Sequence, residues 1–302
     1  MICLRYFKPS YLTLVENGVP QGMCLLLLPE SSPALYKWKQ HCGRSKSGIE
    51  FFSPSLLRSS ISNLITRLLS ELRSLRAERG LPESELQISN TSSDKALSLT
   101  IRFRQVHCTV ELLPAVECTG VWPSYARPGP WPTSGSGISP HGVHVVAKHS
   151  GGGYQWRIWF CHAERHVLQF SNHKCKLECF RLMKKVVFGE LGCTFLTSYH
   201  LLTMLLHESA RLAGNNNWAD CRLKERVYDT LVYLHRCLVH GECSHFFVPT
   251  LNLFSHLSVS AMREFAERLL KYNKKAAREY GKTNLYEDVP EEDVITVIET
   301  WL

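Results

Sequence analysis

Glu111 is the first residue whose position suggests chemistry, because it lies in a stretch with the pattern of a β-strand. From residue 106 to residue 112, apolar side chains alternate with polar ones: Val106, Cys108, Val110 and Leu112 against His107, Thr109 and Glu111. A strand with this pattern buries the apolar set and points Glu111 at the opposite face. A carboxylate in that position either contacts solvent or serves a site, and the strand alone does not distinguish the two.

Two clusters of histidine and cysteine invite a metal-site interpretation. One runs from His173 to Cys179, and the other surrounds Gly241 with His235, Cys237, His240, Cys243 and His245. A closed zinc site needs four ligands. The first cluster offers no four-ligand set, and the second has irregular spacing, with Cys237 at an apolar helical position. We therefore expect buried thiols and core packing at both places, and no zinc.

Composition and charge bound the class of protein. The chain has 302 residues, 44% of them hydrophobic and 21% charged, which are ordinary values for a globular fold with a sizeable core. Its 35 Lys and Arg exceed its 27 Asp and Glu, and the formal charge is +8. This balance favours an anionic partner, either a nucleotide or a nucleic acid, without choosing between them.

The twelve cysteines are scattered and form no paired C-x-x-C motif, so neither a disulfide framework nor a zinc ribbon is predicted. The apolar run Met23–Leu28 is far shorter than a membrane span. With no secretory signal in view, we expect a cytoplasmic or nuclear protein that does not bind membranes.

The elements that must carry these residues begin with short strands. Tyr11–Val15 and Met23–Leu28 have the pattern of an edge hairpin, and Ser53–Pro54 has that of a helix N-cap followed by proline at the first position. The helix that begins there should end at Gly80. Its apolar residues recur at helical spacing, which is typical of a core element with a solvated basic face: Leu57, Ile61, Leu64, Ile65, Leu68, Leu72 and Leu75.

Residues 97 to 112 then predict a hairpin in the central sheet, and the Pro-, Gly- and Ser-rich stretch from Cys118 to Pro140 predicts a long loop. Beyond a short strand at Val143–Ala147, the pattern becomes mainly helical. The helical runs are Trp156 to Phe170, Lys176 to Phe188, Ser198 to Ala213, Cys221 to Val239 and Ser258 to Tyr280.

An ordered set of short words links these elements to a known family. The words are Val110–Glu117, Trp122–Pro123, Trp156–Arg157, Cys179–Lys184, Thr197–His200 and His245–Phe254. From about Ile49 to about Leu270 the chain resembles the Mab-21 family, a nucleotidyltransferase-fold group that includes cyclic GMP-AMP synthase and related cyclic-dinucleotide-producing receptors.

The resemblance implies roles for five residues. Glu111 corresponds to the third of three metal-binding acids, and is thus the catalytic and metal-binding candidate. The nucleotide-binding candidates are Lys184 at the triphosphate, Ser198 at a phosphate, Tyr199 stacked on a base, and Arg157 at the acceptor base or product. Trp159, Cys161 and Leu202 depart from the synthase, which has serines at the first two positions and a lysine at the third.

The family's other two acids follow a Gly-Ser turn, and no such turn with an acid-x-acid strand precedes Ile49. Either the chain begins downstream of those parts, or the protein has dispensed with them. Nucleotidyl transfer of this kind uses two divalent ions held by carboxylates. A single acid predicts impaired catalysis, with magnesium or manganese as cofactor only if the protein is catalytic.

The resemblance therefore implies an α+β, nucleotidyltransferase-like fold of two lobes with nucleotide between them. We expect residues 1–140 to form a partial mixed-sheet lobe with a long flanking helix, lacking the N-terminal catalytic strands, and residues 141–302 to form a Mab-21-type helical lobe. The function predicted first is binding of ATP- or GTP-type nucleotides. The alternatives are an active enzyme in a longer isoform that senses double-stranded nucleic acid and makes cyclic dinucleotides, or a non-catalytic developmental interaction protein.

Overall fold

The structure is a computed structural model that describes residues 2–3, 13–28, 38–44, 49–81, 86–91, 97–127, 142–147, 154–169 and 172–279. The chain divides into two compact units. The first contains Met1–Tyr125 and Ser139–His162, and the second contains Ala126–Ile138 and Ala163–Leu302. The described residues form both strands and helices, and the expected α+β class is confirmed.

Eleven strands are described, all in the first unit: β1 (Ile2–Cys3), β2 (Thr13–Val15), β3 (Met23–Leu27), β4 (Cys42–Arg44), β5 (Glu50–Phe52), β6 (Leu86–Asn90), β7 (Leu97–Phe103), β8 (Val106–Leu112), β9 (Pro114–Cys118), β10 (Val143–Val146) and β11 (Trp156–Trp159). Eight of them form the main sheet in the order β1-β9-β10-β11-β3-β5-β4, with β2 paired to β3. The hairpin β2–β3 is confirmed, but β3 lies inside the sheet. The expectation of an edge hairpin is therefore wrong for this strand.

Strand β11 carries the centre of the first unit's core. Trp156 is fully buried, its indole Nε1 donates to the carbonyl of Phe52 at 2.8 Å, and the two rings stack with centroids 5.2 Å apart. The sequence-based prediction of a helix starting at Trp156 is wrong here. Four residues of strand are too few for their alternation to be distinguished from one turn of a helix.

The hairpin that carries Glu111 is confirmed as β7–β8, paired antiparallel along its whole length. It does not belong to the main sheet, because β6, β7 and β8 form a separate three-stranded sheet. The apolar face of β8 is also less buried than the alternation predicts. Val106 is 64% exposed, and only Val110 and Leu112 are partly buried.

Helix α1 (Pro54–Glu78) begins as predicted, with Ser53 as N-cap accepting a hydrogen bond from the Leu56 backbone N–H at 3.3 Å. Its interior departs from the prediction. Leu57 is buried, but four other leucines of the apolar stripe are between 37% and 50% exposed: Leu64, Leu68, Leu72 and Leu75. Arg58, a basic residue outside the apolar stripe, is buried although a solvated basic face is predicted.

Five further helices follow: α2 (Cys161–Gln169), α3 (His173–Lys184), α4 (Ser198–Arg211), α5 (Leu223–His240) and α6 (Val259–Glu279). A π-helical segment, Lys185–Glu190, extends α3. The helices of the second unit pack around side chains that include Met183, Leu201, Met204, Leu234 and Phe265, all fully buried. No helix among the described residues is long and apolar enough to cross a membrane.

Two leucines of α1 provide a matched test of this burial pattern. Leu57→Ala removes a side chain that is 2% exposed, and we expect it to lower the free energy of unfolding by about 2–5 kcal/mol. Leu68→Ala removes one that is 50% exposed and should change stability by less than about 0.5 kcal/mol. Urea unfolding of both variants measures the difference. Equal losses would contradict the exposed stripe.

Candidate functional site

Glu111 lies on β8 directly opposite Ser98 of β7, and its side chain is exposed. In an antiparallel pair, directly opposed residues share a face of the sheet. The face that carries Glu111 therefore also carries Thr109, its cross-strand partner Thr100, and Arg102. These neighbours offer hydroxyl groups and a guanidinium.

That face does not fit the family's magnesium site. None of the residues of β6, β7 and β8 other than Glu111 is a carboxylate. The next acid along the chain, Glu117, lies on β9 in the main sheet, where its Oε1 accepts from Thr119. Magnesium prefers several hard oxygen ligands. Among the described strands of this three-stranded sheet, Glu111 is the one carboxylate available to such an ion.

Arg157 lies on β11 between two buried neighbours, Trp156 and Ile158. Its backbone pairs with Val146 on one side and with Met23 on the other. Because side chains alternate along a strand, Arg157 points away from the buried face and is exposed. Trp156 is a core residue, so of the Trp156–Arg157 motif only Arg157 is available to a ligand.

Lys184 ends α3 and is exposed, with its Nζ 5.7 Å from the centroid of the Phe180 ring. The helix is held at its start by Asn172, whose Oδ1 accepts from the Cys175 backbone N–H at 3.3 Å. Lys174 and Lys185 are likewise exposed.

Lys176 does not share that exposed basic surface, although it lies on the same helix two residues after Lys174. It is fully buried, its Nζ donates to the carbonyl of Val167 at 3.1 Å, and it lies 5.5 Å from the Trp218 ring centroid. Burial lowers the pKa of this ammonium group to about 8, because desolvation penalises the charged form.

Ser198 is the first residue of α4 and is exposed. Thr197 caps the helix, since its Oγ1 accepts from the His200 backbone N–H while the His200 Nδ1 accepts from the Thr197 backbone N–H at 3.0 Å. This reciprocal arrangement fixes the first turn. It leaves the Ser198 hydroxyl facing solvent at the positive end of the helix dipole.

Tyr199 is the centre of a hydrogen-bonded chain in the second unit. Its hydroxyl donates to Oε1 of Glu164 at 2.9 Å and lies 2.9 Å from Nε2 of His245. The backbone N–H groups of Phe247 and Val248 both donate to Nδ1 of His245, each at 3.1 Å. Because Nδ1 accepts, the ring proton lies on Nε2 and is donated to the Tyr199 oxygen.

Glu164, the acid in this hydrogen-bonded network, is buried and has a raised pKa. Glu164 is buried on α2, and burial raises the pKa of its carboxyl to about 7, although the Tyr199 hydroxyl opposes the shift by stabilising the charged form. Glu164 is not predicted from the sequence as a functional residue, because no local pattern marks it. Tyr199 as a whole residue is partly buried, and its hydroxyl is held by the bonds to Glu164 and His245.

Comparison with known families separates the two parts of the chain. Residues 18–170 match the family model described as the Mab-21 protein nucleotidyltransferase domain. Residues 175–271 match the Mab-21 protein HhH/H2TH-like domain. The chain belongs to the Mab-21 family. This confirms the resemblance drawn from the ordered words, and the nucleotidyltransferase-type fold with it.

A third His/Cys cluster in this Mab-21 protein was not anticipated from sequence. His144 on β10 and the adjacent pair Cys161 and His162 at the start of α2 bring one donor atom each within 4.8 Å of one another. Among the described residues, they are the one set of three or more such side chains that converges so closely. Burial, then the neighbouring His162, lower the pKa of His144, while Glu117 opposes the shift.

The thiols of the two clusters singled out from the sequence are core residues as predicted, whereas the histidines His173 and His240 are exposed. Cys175 and Cys179 are buried, as are His235, Cys237 and Cys243, and burial raises the pKa of Cys179 and Cys237 to about 12. Such thiols stay protonated at neutral pH and pack as small apolar groups.

The buried Lys176 gives a prediction about pH. Its folded pKa of about 8 lies below the reference value of 10.5, so the unfolded chain binds more protons between these two pH values. The contribution of Lys176 to the free energy of unfolding therefore rises as the pH increases from about 8 to about 10.5. Lys176→Met should remove that rise and leave the protein at least as stable at pH 7, because no charge is buried.

Thermal melting between pH 7 and pH 11 measures the difference between wild type and variant. Lys174→Met, which removes an exposed charge two residues earlier on the same helix, is the matched control and should follow wild type throughout. If both variants changed the profile equally, burial of Lys176 would not be the cause.

Proposed function

We propose that this Mab-21 protein binds a nucleoside triphosphate through residues of its family motifs, and that it transfers nucleotidyl groups poorly or not at all. The observation that carries the proposal is a contrast between two sets of residues. Of the candidates for contacting nucleotide, Arg157, Lys184 and Ser198 are exposed and Tyr199 is partly buried. The candidate metal acid, Glu111, is by contrast the one carboxylate on the described strands of its three-stranded sheet.

The phosphate end is assigned to Lys184 and Ser198. An exposed ammonium group attracts phosphate as a point charge. The Ser198 hydroxyl lies in the first turn of α4, where backbone N–H groups and the helix dipole favour an anion. The chain's formal charge of +8 adds a general attraction for a polyphosphate.

The base is assigned to Tyr199. Its hydroxyl is already held by Glu164 and His245, so the ring loses little further freedom when a base stacks on it. Aromatic stacking does not discriminate strongly between bases. Arg157 is the candidate for a second base or a product.

A second candidate function is a non-catalytic interaction protein. The specific observation in its favour is the stripe of exposed leucines on α1, where Leu68 and Leu75 are each 50% exposed. Apolar side chains grouped in this way are typical of surfaces that contact other proteins. The nucleotide-binding experiment below separates the two candidates.

Thermal melting with ATP and with GTP tests nucleotide binding. A ligand present at about 100 times its dissociation constant adds roughly 2.7 kcal/mol of stability, a shift of several degrees. We expect this shift without added magnesium, and we expect Lys184→Glu and Tyr199→Ala each to abolish it. Tyr199→Phe, which keeps the ring, should retain most of it.

Lys271→Glu is the matched control, because it reverses an exposed charge on α6, away from the family motifs. Its shift should equal that of wild type. A well-folded protein that shows no shift with either nucleotide would overturn the nucleotide assignment and favour the interaction protein.

Impaired catalysis has a separate test. Incubation of the protein with ATP, GTP and magnesium should release pyrophosphate no faster than the buffer alone, and Glu111→Gln should not alter that rate. The physical reason is that one carboxylate provides too few ligands for two divalent ions. Magnesium-dependent release that is lost in Glu111→Gln would instead establish an active enzyme.

A further inference from the structure

Three donor side chains of the first unit converge at the main sheet, and a carboxylate lies beside one of them. His144 lies on β10, and Cys161 and His162 open α2. The Sγ atom of Cys161 is 3.3 Å from Nδ1 of His144, and the two imidazole rings stack with centroids 4.6 Å apart. Glu117 on β9 is the cross-strand partner of His144, and its Oε1 is 4.0 Å from Nε2 of His162.

These spacings resemble those of ligands around one small cation. Zinc bonds of about 2.3 Å to sulfur and about 2.0 Å to nitrogen place two tetrahedral ligand atoms roughly 3.5 Å apart. The sulfur and nitrogen atoms of Cys161 and His144 already lie at 3.3 Å. The donor atoms of His144, Cys161 and His162 all fall within 4.8 Å of one another. Because the two imidazole rings are stacked, the more exposed His162 ring has to turn before both rings direct a lone pair at one ion.

The donor types restrict the choice of metal. Two imidazoles and a thiol are borderline-soft ligands, which disfavours magnesium and calcium. One sulfur, two nitrogens and a carboxylate oxygen suit a tetrahedral divalent ion without redox activity. We propose that His144, Cys161, His162 and Glu117 form a zinc-binding site in the first unit, on different elements from Glu111.

The burial of the four residues fits a site with an entry path. His144 is 1% exposed, so its ring is fixed within the fold. The side chains of His162 and Glu117 are 38% and 49% exposed, so an ion can enter from their side. Binding converts the Cys161 thiol to a thiolate and releases its proton to solvent.

A bound ion would join β9, β10 and the first turn of α2. Cobalt titration of the full chain, first freed of metal with a chelator, tests this directly. We expect one Co²⁺ per chain, a sulfur-to-cobalt charge-transfer band, the visible bands of tetrahedral cobalt, and displacement by Zn²⁺. Binding without the sulfur band would overturn the proposal.

Variants identify the ligands. Cys161→Ser should abolish the charge-transfer band, and both it and His162→Ala should weaken Zn²⁺ binding at least tenfold. Glu117→Gln should weaken it less, because this carboxylate is the most exposed of the four. The matched controls are His107→Ala and Cys108→Ser, which alter two exposed residues next to each other on β8. The proteins carrying these substitutions should bind Zn²⁺ as tightly as wild type does.

A measurement on the unaltered protein does not depend on whether the variants fold. Zn²⁺ should protect Cys161 from alkylation, as mapped by peptide mass spectrometry, while Cys108 continues to react at its original rate. Equal reactivity of Cys161 with and without Zn²⁺ would overturn the site. So would ligand variants that bind Zn²⁺ as tightly as the His107 and Cys108 controls.

Discussion

The alternation of side chains along β11 is the constraint on which the first unit depends. One face of the strand buries Trp156, whose indole hydrogen bond to the Phe52 carbonyl and stacking on the Phe52 ring join β11 to β5 across β3. A buried indole N–H without a partner would be costly, so this bond fixes the orientation of the ring. The opposite face presents Arg157, and the chain leaves the strand directly toward Cys161 and His162.

In the second unit, a series of side-chain hydrogen bonds fixes the orientation of the residues it joins. Glu164, Tyr199 and His245 come from α2, α4 and the segment after α5, and each hydrogen-bonding group in the chain between them has a partner. In a low-dielectric interior, a fully satisfied network of this kind specifies one arrangement of the helices around it. Tyr199 is thus a structural residue and a ligand candidate at once, because its hydroxyl is held in the network while the residue remains partly exposed.

The two metal questions in this protein separate on ligand chemistry. Glu111 lies on a three-stranded sheet whose other polar residues supply hydroxyls, amides, a histidine, a cysteine and an arginine. The set around Cys161 contains sulfur and imidazole nitrogen, with His144 on the main sheet and Cys161 and His162 on α2. The proposals for these two places therefore concern different donor atoms and different metals.

Local patterns in the sequence by themselves determined the family, the α+β class, the cap at Ser53 and the helical character of the second unit, because caps, periods and ordered motifs involve residues near one another in the chain. Periodicity also predicted the amphipathic stripe of α1. It did not predict that Leu64 and Leu68 are exposed, since burial depends on what packs against a helix.

Only the tertiary structure decided which distant side chains meet. The register of β9 with β10 brings Glu117 beside His144, and the turn from β11 into α2 returns Cys161 to His144 across 17 residues of chain. Strand register and helix direction arise from the packing of the whole unit, so no short stretch of sequence encodes them.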